Sequence, residues 1–148
     1  MTNVFNDQKR WMQACSQTIE GFNDVQYRLY CRLIDEEHGE LQDAIATDNS
    51  VEQLDALIDI LVVTLGAIVS MGADGEAAWN EVLRSNLSKI DPETGKVIKR
   101  ESDGKVLKPS FYIGPELEAF VNPEFDRYSQ EQRNLRPYVA ENKDGGDF

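Results

Sequence analysis

Two short acidic clusters flank a turn-like Thr47-Asp48-Asn49-Ser50: Glu36-Glu37-His38-Gly39-Glu40 on one side, and Glu52, Asp55 and Asp59 on the other. On helical flanks, Glu36, Glu37 and Glu40 share one face, and Glu52, Asp55 and Asp59 share another. Carboxylates three or four residues apart on a helix are neighbours, and like charges there repel. Such a gathering calls for a cation. Hard oxygen ligands suit Mg²⁺, with Mn²⁺ as a substitute.

A plain solvated acidic face is the simplest alternative. Against it, Asp55 and Asp59 interrupt an otherwise apolar stretch, where unpaired charge is costly. That stretch holds no Lys or Arg to pair with them. Zinc prefers Cys and His, and a di-iron bundle needs two Glu-x-x-His motifs. The single histidine, His38, offers only an Asp35-x-x-His38 half-motif. No EF-hand loop pattern is present.

A carboxylate Mg²⁺ site commonly handles phosphates, since the cation clamps phosphate oxygens and lowers the pKa of a bound water. Positive side chains are then expected nearby. Arg84, Lys89, Lys96, Lys99, Arg100, Lys105 and Lys108 are concentrated ahead of Pro109. An ordinary solvated basic stretch is the competing explanation. Trp11, Gln17, Phe22, Trp79 and Asn80 could stack on or bond a base, with Gln17 and Trp79 the leading pair. Buried helical aromatics, however, are more often core residues.

The 148 residues suit one domain with an appendage. A net charge of −12 argues against nucleic acid and anionic membranes as partners. It leaves room for a small anionic substrate, because bound cations reverse the local field. Cys15 and Cys31 form no C-x-x-C, and the N-terminus has no secretory pattern, which reads as reduced thiols in the cytoplasm. Ile60 to Ala73 is apolar but too short to span a bilayer.

The elements that must position these groups are helical. A first helix is expected from an Asn6 or Asp7 cap to about Ile19, ended by Gly21. A second runs from Asn23 or Asp24 to Ala46, with its apolar residues near the helical period. Asn49 with Glu52, or Ser50 with Gln53, signals the start of a third. That helix is apolar nearly all round to Met71, apart from Asp55 and Asp59, and Gly66 would let another backbone approach closely. Gly72 is a natural C′ residue. Asp74 caps a fourth helix, Gly75 to about Lys89. Short connections predict an all-α fold with an antiparallel four-helix core. Beyond it, Ser102-Asp103-Gly104 marks a hairpin-like or irregular segment. An extended C-terminal tail follows from Pro115, expected to wrap the core or a partner, with a disordered end from Glu141.

Taken together, Glu36-Glu37-x-x-Glu40, Asp55-Ala56-Leu57-Ile58-Asp59-Ile60-Leu61, Ser85-Asn86-Leu87-Ser88-Lys89 and Asp103-Gly104-Lys105-Val106-Leu107-Lys108-Pro109 resemble motifs of the all-α nucleoside triphosphate pyrophosphohydrolases. Within that superfamily the chain is most similar to small MazG-like proteins, including phage-encoded ones. The resemblance covers a domain of residues 1–112 and leaves 113–148 as a C-terminal extension.

The resemblance implies Mg²⁺-dependent hydrolysis of a (d)NTP to the monophosphate and diphosphate. It also implies a homo-oligomer, dimer or tetramer, with active sites near subunit interfaces. Glu37 and Glu40 match the first metal-binding pair, and Glu52 with Asp55 the second, while Asp59 competes for the final ligand position. Asn86 and Lys89 match phosphate-facing residues, and Lys105 and Lys108 a basic tail motif. Glu36 or Glu37 would act as base. The phage-type relatives favour dGTP or GTP, in which case a phage-encoded enzyme would work in the host cytoplasm. Two other readings stand beside this one: a non-catalytic helical module with an acidic docking surface, and the same fold acting on a modified nucleotide.

Overall fold

A short polar side chain starts each α-helix of the computed structural model, which describes residues 3–136. Asn3 accepts from the Phe5 and Asn6 N–H groups to start α1 (Val4–Ala14). Asn23 accepts from Gln26 for α2 (Asp24–Ala46), and Asn49 from Glu52 for α3 (Ser50–Ser70). Asp74 accepts from Ala77 for α4 (Gly75–Leu87), and Asn122 from Glu124 for α5 (Pro123–Leu135). Each such cap satisfies amide donors that have no partner inside their own helix.

The first helix departs from expectation at both ends. It starts on Asn3, because that carboxamide satisfies two free N–H groups before Asn6 is reached. It stops at Ala14 because Ser16 adopts a left-handed φ of 58°. The following loop is fastened by Gln26, whose carboxamide both accepts from the Thr18 N–H and donates to the Thr18 carbonyl.

Antiparallel α2 and α3 form the frame, joined across a tight turn in which Asp48 also takes a positive φ. Met12, Tyr30, Val63, Ala67 and Val69 make the buried core, flanked by Ile19, Tyr27, Leu33 and Ile34. Gln26 and Ser70 are paired inside it, Gln26 donating to Ser70 Oγ and Ser70 to the Gly66 carbonyl, whereas the buried Gln8 Nε2 has no hydrogen-bond partner among the described residues. The core therefore draws on α1, α2 and the C-terminal half of α3. The N-terminal half of α3 leaves Leu54, Leu57, Ile58 and Leu61 exposed, and α4 touches α3 only sparsely.

By length and composition α3 could cross a membrane. Glu52, Asp55 and Asp59 in its first turns, and the burial of its C-terminal half against α1 and α2, fit a protein core better.

After α4 the chain makes two isolated antiparallel bridges, Ile90 with Val97 and Lys99 with Val106, with no strand among the described residues. The C-terminal segment, read as extended, instead contains a 3-10 turn (Glu118–Phe120) and α5. Phe125 and Tyr128 of α5 pack on Phe22 at ring-centroid distances of 5.3 and 5.1 Å, and Phe125 meets Tyr27 at 5.0 Å. Apolar periodicity is weak there because two aromatic rings carry the docking. The Asn122-Pro123-Glu124 start signal was nonetheless present in the sequence. The end expected to be disordered, Glu141 to Phe148, lies outside the described residues.

Gly66 sets the spacing of α2 and α3, since a Cβ there would fall 2.2 Å from the Tyr30 ring. The ring is anchored by its hydroxyl, which donates to Gln17 Oε1 at 2.6 Å. Gly66→Ala is therefore expected to destabilise the fold by about 1–3 kcal/mol, the scale of core overpacking. Urea unfolding checks this, and a variant as stable as wild type would refute the close approach.

Candidate functional site

The α2–α3 turn decides which acids meet. Residues equally far from the turn of an antiparallel helix pair lie opposite one another. Glu37 and Asp59 are so placed about Asp48, and Glu40 and Asp55 nearly so. Glu37 is half-buried, and its Oε2 is buried without a hydrogen-bond partner. Burial first, then the charges of Glu40, Asp59, Glu36 and Asp55, push its carboxyl above the usual carboxylate range. Five of the expected acids thus share one field. Glu52 is not among the groups acting on Glu37; it stands exposed in the first turn of α3.

The donor chemistry fits a hard divalent cation. A buried, unpaired carboxylate oxygen surrounded by like charge gains more from a cation than from any hydrogen bond. Among the described residues, no three His, Cys, Asp or Glu side chains already stand at ligand spacing. Glu36, Glu40 and Asp55 are exposed and can turn toward an ion, while Glu37 and Asp59 are half-buried. Cation binding would draw these side chains together.

The basic half is assembled elsewhere, at the end of α4. Lys89 is only 7% exposed, and its Nζ donates to Asn86 Oδ1 at 3.1 Å. Lys89 Nζ lies 5.4 Å from the Tyr112 ring centroid, and Lys108 Nζ lies 5.5 Å from the same centroid. Asn86, Lys89 and Lys108 are therefore brought together. Lys105 is half-buried beside the Arg100–Asp103 pair, where its backbone N–H donates to Asp103 Oδ1. No hydrogen bond or ion pair among the described residues joins this basic group to the acids of α2 and α3.

The two leading base-binding candidates differ in their surroundings. Gln17 receives the Tyr30 hydroxyl, so its carboxamide oxygen is engaged in the core. Trp79 is 64% exposed on α4 and is not a core residue.

Tyr112 lies outside the motifs read from the sequence, and Ser85, quoted in one of them, carries no assigned role there. Ser85 is buried; its Oγ donates to the Ile113 carbonyl at 2.9 Å and lies within hydrogen-bond distance, 3.3 Å, of the Tyr112 hydroxyl, which can donate to it. The signal available was an aromatic ring just after the Lys108-Pro109 motif.

Known proteins supply one family. A model of the phosphoribosyl-ATP pyrophosphohydrolase family matches residues 1–86, more than half of the 148-residue chain. That family lies in the MazG-like all-α nucleoside triphosphate pyrophosphohydrolase superfamily. No curated protein matches the chain. The matched region contains all five acids around Glu37, together with Asn86. Lys89, Lys105, Lys108 and Tyr112 lie beyond it.

The raised Glu37 carboxyl has a definite consequence for stability. Because the folded state holds that proton more tightly than the unfolded state, metal-free stability falls as pH rises from the ordinary glutamate value through the raised one. Glu37→Gln is expected to remove this slope and to raise the melting temperature in EDTA at neutral pH by about 2 °C. Mg²⁺ is expected to stabilise wild type more than the variant. Thermal unfolding across pH tests both points, and a less stable Glu37→Gln at neutral pH would contradict the crowded carboxylate.

Proposed function

Since the chain belongs to the phosphoribosyl-ATP pyrophosphohydrolase family, we propose that it is a Mg²⁺-dependent nucleoside triphosphate pyrophosphohydrolase. It would convert a (d)NTP and water into a (d)NMP and pyrophosphate. Pyrophosphohydrolase chemistry on a phosphoric anhydride comes with the family. The observation that carries the finer reading is the unpaired, buried Oε2 of Glu37 among Glu36, Glu40, Asp55 and Asp59.

Glu37, Glu40, Asp55 and Asp59 would hold the cation, with Glu52 at the rim and Mn²⁺ able to substitute. Bound Mg²⁺ neutralises phosphate charge and lowers the pKa of a coordinated water. Glu36 or Glu37 would take the proton of the attacking water. Attack on the α-phosphorus releases pyrophosphate, whose charge Lys89 and Lys108, with Lys105 and the Asn86 amide, would meet. Gln17 and Trp79 remain the candidates for base contact. The resemblance to phage-type proteins makes dGTP and GTP the first substrates to try. The free Cys15 and Cys31 suit work in a reducing cytoplasm.

A homo-oligomer is supported by two exposed apolar faces at helical spacing: Leu54, Leu57, Ile58 and Leu61 on α3, and Trp79, Val82, Leu83 and Leu87 on α4. Both border the acidic residues or the basic cluster along the chain. A second copy covering them would complete the site at an interface.

A panel of (d)NTPs, phosphoribosyl-ATP and modified nucleotides, assayed with Mg²⁺ for monophosphate and pyrophosphate, tests the activity. Glu40→Gln and Asp55→Asn are expected to stay folded and lose at least about 100-fold in turnover. Wild-type rates in either would sink the site, and an inert panel together with binding to a basic protein would favour an acidic docking module. Light scattering is expected to give a multiple of the 16.8 kDa chain mass. Ile58→Glu is expected to shift it to monomer, and a monomeric wild type would rule out the interface.

A further inference from the structure

The segment from Pro109 to Glu116 lies beyond the family-matched residues and runs back along α4 as a strap. Arg84 donates to the Gly114 carbonyl at 3.0 Å, and the Ile113 N–H donates to Ser88 Oγ at 3.2 Å. The Glu116 N–H donates to Glu81 Oε1 at 2.9 Å, and Ser85 donates to the Ile113 carbonyl. Glu81, Arg84, Ser85 and Ser88 share one helix face. The Arg84 guanidinium grips Glu81 through two bonds and, with the Glu116 amide, holds the Glu81 carboxyl down to about 2. The clamp therefore stays charged at any ordinary pH.

The strap carries Tyr112 to the end of α4. There its ring faces two ammonium groups from distant parts of the chain, Lys89 at 5.4 Å and Lys108 at 5.5 Å. The negative π-face of one ring thus attracts both ammonium groups. Lys89 is also buried, and no carboxylate among the described residues forms an ion pair with it. A buried ammonium held by one amide oxygen and one ring is under-neutralised. The chain has a net charge of −12, so acids to pair with it are abundant elsewhere. Keeping them away from Lys89 leaves its ammonium able to meet an anion.

We propose that Tyr112 is a positioning residue, whose ring holds Lys89 and Lys108 together as a two-ammonium cradle for the pyrophosphate end of the substrate. The inference rests on the pyrophosphohydrolase reading for the identity of the anion. It goes beyond that reading in giving the strap a function. The strap face of α4 and the Tyr112 ring act as one device: the clamp fixes the ring, and the ring fixes the lysines.

The test uses the full chain, inorganic pyrophosphate with Mg²⁺ as the calorimetric probe, and steady-state kinetics on whichever triphosphate is turned over. Tyr112→Leu is expected to weaken pyrophosphate binding and raise KM by about tenfold, with kcat changed by no more than about twofold. Tyr112→Phe keeps the π-face and is expected to restore affinity to within about threefold of wild type. Phenylalanines of increasing fluorination at position 112 keep the shape while draining the ring, so affinity is expected to fall stepwise along that series. This series guards against a Tyr112→Leu chain that does not fold. A flat fluorination series, or equal losses in the Phe and Leu variants, would overturn the cradle. Turnover by wild type with pyrophosphate affinity indifferent to residue 112 would overturn the cradle and leave the catalytic reading standing. Ring-dependent pyrophosphate binding by a chain that hydrolyses no triphosphate would do the reverse.

Discussion

The approach of the Tyr30 ring to the backbone at Gly66 governs how closely α2 and α3 lie together, and the acidic group inherits that spacing. The ring cannot withdraw without breaking its 2.6 Å bond to Gln17 and opening the core around Met12. Distance alone does not place the acids. The turn at Asp48, with its positive φ, and the Asn49 cap set the register that brings Glu37 opposite Asp59. The repulsion this creates is tolerated because the core formed by α1, α2 and the far half of α3 supplies the stability. In the proposed enzyme, a cation would relieve the like charge that crowds Glu37.

Charge is segregated in the rest of the molecule. The acids sit on the α2–α3 frame, while the buried Lys89 and its partner Lys108 sit at the end of α4. Within one chain α4 lies only sparsely against α3, and apolar side chains on both helices face outward. In the proposed enzyme, a second copy covering these exposed faces would link assembly to completion of the site.

The C-terminal segment has a physical role on the domain it follows. Its strap is fixed to α4 by side chains on one helix face, and α5 then docks by Phe125 and Tyr128 onto Phe22 and Tyr27. Between these two anchorages the Asp74 N–H donates to the Phe120 carbonyl, at the point where α4 begins. The extension thus touches both ends of α4, a helix that lies only sparsely against α3.

Local chemistry was legible in the residues themselves. The Asn23, Asn49 and Asp74 caps, the positive φ at Gly72 and the all-α class follow from short-range hydrogen bonding and periodicity, which a sequence carries directly. The acids around Glu37 were legible for the same reason, since spacing on two helices joined by a short turn nearly fixes their encounter. The first helix was misjudged because its end depends on one left-handed residue, Ser16, and on a loop tied down by Gln26. Tyr112 was missed because its role depends on Lys89 and Lys108 converging from separate segments. Composition and local pattern determined that carboxylates would crowd and that lysines would follow them. Only the tertiary structure decided that Glu37 carries the buried, unpaired oxygen and that one ring gathers two of the lysines, because burial and long-range contact are properties of the folded chain.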